Sequence, residues 1–363
     1  MTSGPLAGIR IVEIDAIGPV PLAAMIMADM GADIIRIARR VAPGQQMWDD
    51  VGGAVLYRSR GHVALDLKDP ADCEALLDLI DRADGLIEGF RPGVMERLGL
   101  GPELLLARNP KLVFGRMTGW GQTGPMAMRA GHDINYLSLT GALHAIGDAG
   151  APPTVPLNLV GDYGGGAMFL VTGMLAAFLS AQRTGAGQVV DVAITDGVGT
   201  LLSLFHSWLA TGVWSDERAR NLLDGGAPFY RCYACADGGH VAVGCLEPQF
   251  FAAMVAGLGL EDRGYVQGDR AGWPAMATDF AAIFATRPRD AWAAHFAATD
   301  ACVTPVLSLT EAAAHPQATA RASFIVRGGI AQAAPSPRFS ATPATIRENG
   351  AVDLASVIER WAR

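Results

Sequence analysis

Over its first third the chain alternates short β-branched runs with helix-forming stretches. Residues 9–14 (IRIVEI) read as a strand, residues 21–30 (PLAAMIMADM) as a helix stopped by Gly31, and residues 33–37 (DIIRI) as a second strand. The pattern repeats through residues 62–67, a helix over 69–83 that opens on Asp69-Pro70, residues 85–90, a further helix and residues 111–116. Parallel strands need such helical crossovers, so the repetition predicts an α/β fold: a Rossmann-like, doubly wound parallel sheet. The run at 189–194 closes this region, and a long apolar helix is expected to reach Trp214.

Residues 215–228 (SDERARNLLDGGAP) are polar and end in turn residues, as a linker does. Beyond them, two strand-like runs are joined by Ala236-Asp237-Gly238-Gly239, a hairpin signal. Helices follow to about residue 298. The expected organisation is a large α/β domain of residues 1–190 plus 326–363, a linker helix and loop over 191–224, and a smaller α+β domain over 225–325.

Half of the 363 residues are hydrophobic and 18% are charged, which supports a large core and excludes a disordered chain. The net charge of −8 argues against a broad nucleic-acid surface. An anionic ligand would need a local cluster of cations. Five scattered cysteines (Cys73, Cys232, Cys235, Cys245, Cys302) do not make a disulfide framework. With no basic leader before a long apolar run, the expectation is a cytoplasmic protein. The best membrane candidate, residues 167–179, reads as a buried helix of about 13 residues where a span needs about 20.

In an open parallel sheet, ligands sit outside the carboxyl ends of the strands. Three of those ends carry cations: Arg39, Lys68 and Arg91, with Arg97 in the helix that follows. They suit phosphates, or they are ordinary surface charges. Gly119-Trp120-Gly121-Gln122-Thr123-Gly124 matches a dinucleotide fingerprint in spacing only; it follows the wrong strand, and Pro125 rather than a helix comes next. It reads as a Gly-rich turn where backbone comes close to a ligand. Cys232 and Cys235, three apart on a strand, point to opposite faces and suit neither zinc nor redox chemistry.

Gly131-His132-Asp133 opens an apolar helix, which sets backbone N–H groups beside an imidazole and suits an oxyanion next to a base. The plainer reading makes Asp133 a helix cap and His132 structural. Asp162, in Val160-Gly161-Asp162-Tyr163-Gly164-Gly165-Gly166, has the same two readings: a cap, or a carboxylate held where a ligand's backbone passes close. Glu247, before Pro248 at a helix start, is equally ambiguous. The other six histidines read as structural.

Several blocks together resemble the α-methylacyl-CoA racemases of the family III CoA-transferase superfamily. They include LAGIRIVE from Leu6, EGFRPGVMERLGL from Glu88, MTGWGQTGP from Met117, GHDINY from Gly131, PLNLVGDYGGG from Pro156 and LDGGAPFY from Leu223. The resemblance implies an interlocked homodimer that binds an acyl-CoA thioester, with no separate cofactor and no metal. It implies His132 and Asp162 as a proton-transfer pair across the α-carbon, assisted by Asp133 and by Glu247 from the partner's small domain. It also implies CoA contacts from Arg39 (or Arg40), Leu65, Asp66, Leu67, Lys68, Gly89, Phe90, Arg91 and Arg97, with Gly131, Ile134, Asn135 and Tyr136 holding the thioester. Transferases of the family use an aspartate at the position of Asp162 as a nucleophile, so CoA transfer is the alternative activity and a non-catalytic CoA-binding protein the third. The acyl tail is not specified by any of these residues.

Overall fold

The structure is a computed structural model that describes residues 3–40 and 53–362. The chain divides into two compact units: residues 1–140, 156–202 and 332–363 form the first, and 141–155 with 203–331 the second.

The first unit is built on a parallel sheet whose strands are β1 (Arg10–Ile14), β2 (Asp33–Arg39), β3 (Gly61–Leu65), β4 (Gly85–Glu88), β5 (Val113–Thr118) and β6 (Gln188–Ala193). Their order is β3-β2-β1-β4-β5-β6, with a short strand from the C-terminal segment, Gly350–Ala351, added beyond β3. This is the predicted doubly wound α/β architecture. The strand order reverses between β1 and β4, which opens a crevice at their carboxyl ends.

Alternation along each strand sends side chains to opposite faces. Val12, Ile14, Ile35, Ile37, Leu86 and Phe114 pack with Leu76, Leu79, Ile80, Leu105, Val357 and Trp361 in one core cluster. Asp69 caps the helix Pro70–Ile80 with its own side chain, and Pro70 takes the first helical position, as the sequence predicts. The C-terminal helix Leu354–Trp361 lies on the same layer. On the other face sit the helices Pro19–Asp29 and Met168–Thr184.

The second helix departs from expectation. It continues upstream as a π-helical stretch, Leu159–Ala167, so the apolar helix is 26 residues long, from Leu159 to Thr184, rather than about 13. It is long and apolar enough to cross a membrane by length and composition alone, so the length argument for burial does not hold. Packing carries it instead: Leu170, Val171, Met174, Ala177 and Phe178 are buried, and the helix lies against β5 and β6. The long helix expected up to Trp214 is also broken, into Ile194–Leu201 and Ser203–Ala210.

Gly164, Gly165 and Gly166 of the π-helical stretch are closely packed by the chain itself. A Cβ on Gly165 would lie 2.6 Å from Val198 Cγ2, and one on Gly197 would lie 1.9 Å from the Gly165 carbonyl oxygen. The helix Ile194–Leu201 therefore crosses the π-helical stretch at backbone contact.

Buried charge ties the sheet to its flanking segments. Asp29 receives the Arg58 guanidinium at 2.6 Å and the Ser59 hydroxyl at 2.8 Å, while Arg58 also donates to Gln332 and the Ala333 carbonyl. Glu13 of β1 is fully buried against Arg60 at 2.6 Å.

In the second unit, β7 (Tyr230–Ala234) and β8 (His240–Gly244) pair antiparallel through the predicted Asp237-Gly238-Gly239 turn, and β9 (Val303–Pro305) joins β8. Phe251, Trp273, Phe280, Phe284 and Trp292 cover one face of this sheet. Residues 215–228 form a loop fastened around the buried Asn221, which bonds Ser215, Glu217 and Asp224. Cys232 is exposed and Cys235 buried, on opposite faces as expected.

Replacing Gly197 with Ala should therefore force the two helices apart and cost about 1–3 kcal/mol, the range for an overpacked core position. Urea unfolding of Gly197→Ala would show it as a lowered midpoint at unchanged slope. An unchanged midpoint would mean that the crossing is looser than described.

Candidate active site

Asp162, Asp133, His132, Tyr136 and Arg91 are brought close enough for their charges to act on one another. The loop after β1 comes up against Asp162, so that a Cβ on Gly18 would lie 3.2 Å from Asp162 Oδ2. Asp162 sits within the π-helical stretch and does not cap a helix. The irregular turn re-aims side chains relative to an α-helix, as such turns do at functional positions.

Asp133 opens the helix Asp133–Thr140, yet its carboxylate does not cap that helix. It reaches across to the π-helical stretch, where Oδ1 accepts the Asp162 N–H at 2.7 Å and the carboxylate also accepts the Gly161 N–H. Gly161 is required there: a Cβ would lie 2.3 Å from Asp133 Oδ1. Asp133 Oδ2 is buried with no hydrogen-bond partner among the described residues. Burial pushes the Asp133 carboxyl above its usual range, against the pull of the two N–H donors.

Asp162 is shifted further. Burial first, and the charge of Asp133 second, push its carboxyl up to about 6, while a hydrogen bond from Asn158 and the charge of His132 pull the other way. His132 is thus an electrostatic neighbour of Asp162. Its side chain is exposed and makes no hydrogen bond among the described residues.

The helix entry differs from expectation in one respect. The His132 N–H donates to Asn135 Oδ1 at 3.0 Å, so it is already committed. The next two N–H groups, of Asp133 and Ile134, have no acceptor among the described residues. Asn135 is therefore a local cap. Tyr136 donates its hydroxyl to the Gly131 carbonyl and packs edge-on against Trp120, ring centroids 4.8 Å apart. Gly119 leaves room for that ring, since a Cβ would lie 2.0 Å from Tyr136 Cε1. Of the Gly119–Gly124 turn, this first glycine serves packing of the chain itself. Tyr136 lies near enough to Asp162, Arg91 and Asp133 for all three charges to act on its hydroxyl, and burial pushes that hydroxyl upward.

The cations lie on the same carboxyl edge of the sheet. Arg39 ends β2 in register with Leu65 of β3, which is buried, and Asp66 and Lys68 follow it into solvent. Arg40 is held by Asp72 at 2.9 Å, and the same carboxylate accepts the Asp66 N–H. Gly89, Phe90 and Arg91 follow β4, and Arg97 ends the helix Val94–Arg97. Lys68, Arg91 and Arg97 make no ion pair among the described residues. Glu247 belongs to the second unit, where it is exposed at the start of the helix Pro248–Gly257.

Sequence reasoning passed over Asn158, Gly18 and Gly161. Asn158 and Gly161 stood inside a block quoted for the resemblance, but their roles depend on a π-turn that no apolar period announces.

An acid whose folded pKa lies above its unfolded value of about 3.9 contributes stability below that value, and the contribution is lost as pH rises through the folded pKa. Asp162 does this between about pH 4 and 6, so its ionisation costs the fold on the order of 2 kcal/mol at neutral pH. Asp162→Asn should gain stability over the parent at pH 8 and lose that advantage at pH 4, as read from urea midpoints at the two pH values. Equal differences at both would show that Asp162 is not held out of water.

Comparison with known proteins agrees with the fold. The pattern of CoA-transferase family III matches residues 6–350. The chain is 43% identical to alpha-methylacyl-CoA racemase of Mus musculus over 341 residues, 93% of this chain and 87% of that protein. It is 32% identical to acetyl-CoA:oxalate CoA-transferase of Acetobacter aceti over 349 residues, 90% of this chain and 87% of that one. A CAIB/BAIF family protein from Brucella suis shares the fold with a TM-score of 0.83 at 24% identity, over 99% of this chain and 100% of that chain. The chain belongs to CoA-transferase family III.

Proposed function

We propose that this protein is an α-methylacyl-CoA racemase: it inverts the C2 centre of a 2-methylacyl-CoA thioester by moving a proton between His132 and Asp162. The observation that carries the reading is a carboxyl group pushed up to about 6 beside an imidazole, at the crevice where the strand order reverses. The 43% identity to the mouse racemase supports it over transfer chemistry.

Removing a proton α to a thioester leaves an enolate, whose oxygen needs donors already in place. The Asp133 and Ile134 N–H groups, without an acceptor among the described residues, supply them at the positive end of their helix. Inversion needs removal on one face and return on the other, so two groups must share one proton. An ordinary imidazole titrates near 6.5 and an ordinary aspartate near 3.9, a gap that would lock the pair as an ion pair. Raising Asp162 toward the imidazole range closes that gap, so either group serves as base.

Arg39, Asp66, Lys68, Gly89, Phe90, Arg91 and Arg97 would receive the CoA along the sheet edge, with Leu65 and Leu67 anchoring the end of β3 and Arg40 committed to Asp72. Gly131, Asn135 and Tyr136 hold the His132 turn in shape. The reaction draws on no group beyond these side chains and the substrate. A second copy of the chain would cover Leu139, Leu157, Leu159 and Leu179, each more than half exposed, and bring Glu247 from its small unit.

In D2O, the protein should place deuterium at C2 of a 2-methylacyl-CoA with no acceptor acid present. Transfer of CoA to a free acid without exchange would establish the transferase reading instead. His132→Ala should abolish exchange from one enantiomer more than from the other, and Asp162→Asn should show the opposite bias; equal losses would end the two-face mechanism.

Asp133→Asn keeps an acceptor for the Asp162 N–H but removes the charge that opposes Asp162 ionisation. The Asp162 pKa should fall, and the acid limb of kcat/KM should move to lower pH. A limb that stays in place would show that Asp133 acts through its hydrogen bonds alone.

A further inference from the structure

We propose that Arg116 is a positioning residue for CoA recognition, shaping the loop 89–93 by gripping it at both ends. The inference rests on the CoA-binding reading above.

Glu88 ends β4 and stands in register with Arg116 of β5. Arg116 Nε donates to Glu88 Oε1 at 2.9 Å, and its two terminal nitrogens donate to Glu96 at 2.7 and 3.3 Å. The second oxygen of Glu88 accepts the Phe90 N–H at 2.6 Å. One guanidinium therefore joins the residue before the loop to the helix Val94–Arg97 after it, and Gly89–Gly93 becomes a hoop closed at its base. Arg91 stands in the hoop, and Arg97 follows Glu96 directly.

This triad is a poor device for stability alone. Glu88 is fully buried and the Arg116 side chain is 6% exposed, and buried ion pairs of this kind are often matched by apolar residues of the same volume. Their specific property is geometry: a planar fork with fixed donor directions. Two carboxylates on one guanidinium also leave one negative charge close to Arg97 and to the loop that carries Arg91, and neither arginine makes an ion pair among the described residues. A hoop ordered during folding spares the ligand that ordering cost. Lysine would keep the charge but cannot span both carboxylates from one rigid fork.

The test uses the full chain, with free CoA as probe by titration calorimetry and kcat and KM measured on a 2-methylacyl-CoA. Arg116→Lys and Glu96→Ala are compared with the parent. The second change removes the half-exposed partner and leaves Glu88–Arg116 intact, so it decides the matter if Arg116→Lys does not fold. The Kd for CoA and the KM should rise together, about tenfold for one lost well-aligned contact, while kcat stays within about threefold. Parent affinity for CoA in the folded variants, or a loss in kcat at unchanged KM, would overturn the proposal alone. A parent protein that does not bind CoA would overturn this proposal and the function above together.

Discussion

The carboxylate of Asp133 holds together two segments that are distant in sequence. By accepting the N–H groups of Gly161 and Asp162, it fastens the π-helical stretch to the start of the helix Asp133–Thr140. The bond is short, 9% of Asp133 is exposed, and any Cβ at position 161 would collide with it. Its consequences are geometric and electrostatic at once. It sets Asp162 beside His132, and its charge opposes the ionisation of the carboxyl it positions. A neutral acceptor would supply the first effect without the second.

Around this contact the fold spends buried charge in a consistent way. Asp29–Arg58 and Glu13–Arg60 each join a helix or strand of the sheet layer to the segment 58–60, and Glu88–Arg116 joins β4 to β5 and, through Glu96, to the helix Val94–Arg97. Such pairs contribute little net stability but penalise any arrangement that separates them. The sheet's carboxyl edge is thereby kept as a set of defined loops. The same edge leaves Lys68, Arg91 and Arg97 without carboxylate partners among the described residues. That contrast, charges satisfied beneath the edge and three cations on it without a carboxylate among the described residues, suits an anionic ligand site.

Much of the sheet was legible because parallel strands and their crossover helices write period and punctuation into the chain. The Asp69-Pro70 helix start, the Gly31 stop and the Asp237-Gly238-Gly239 hairpin are local chemistry, and each lies where the residues place it. The helix Leu159–Thr184 was not legible in the same way. The apolar pattern starts only at residue 167, after the glycines, whereas the structure carries the helix back through them, with Gly165 and Gly197 letting two backbones touch. The plainer of the two readings of Asp133, a helix cap, follows from its position alone, and its long-range partners displace that role.

The residues themselves determined the α/β class, the cationic strand ends and the presence of a His–Asp entry and a Gly-flanked aspartate, since these depend on neighbours a few positions apart. Only the tertiary structure decided that residues 133 and 161–162, nearly thirty positions apart, share a hydrogen bond, and that burial there pushes an aspartate up to about 6. Proton affinity is a property of the surroundings of a group, and those surroundings come from segments that the order of residues does not bring together.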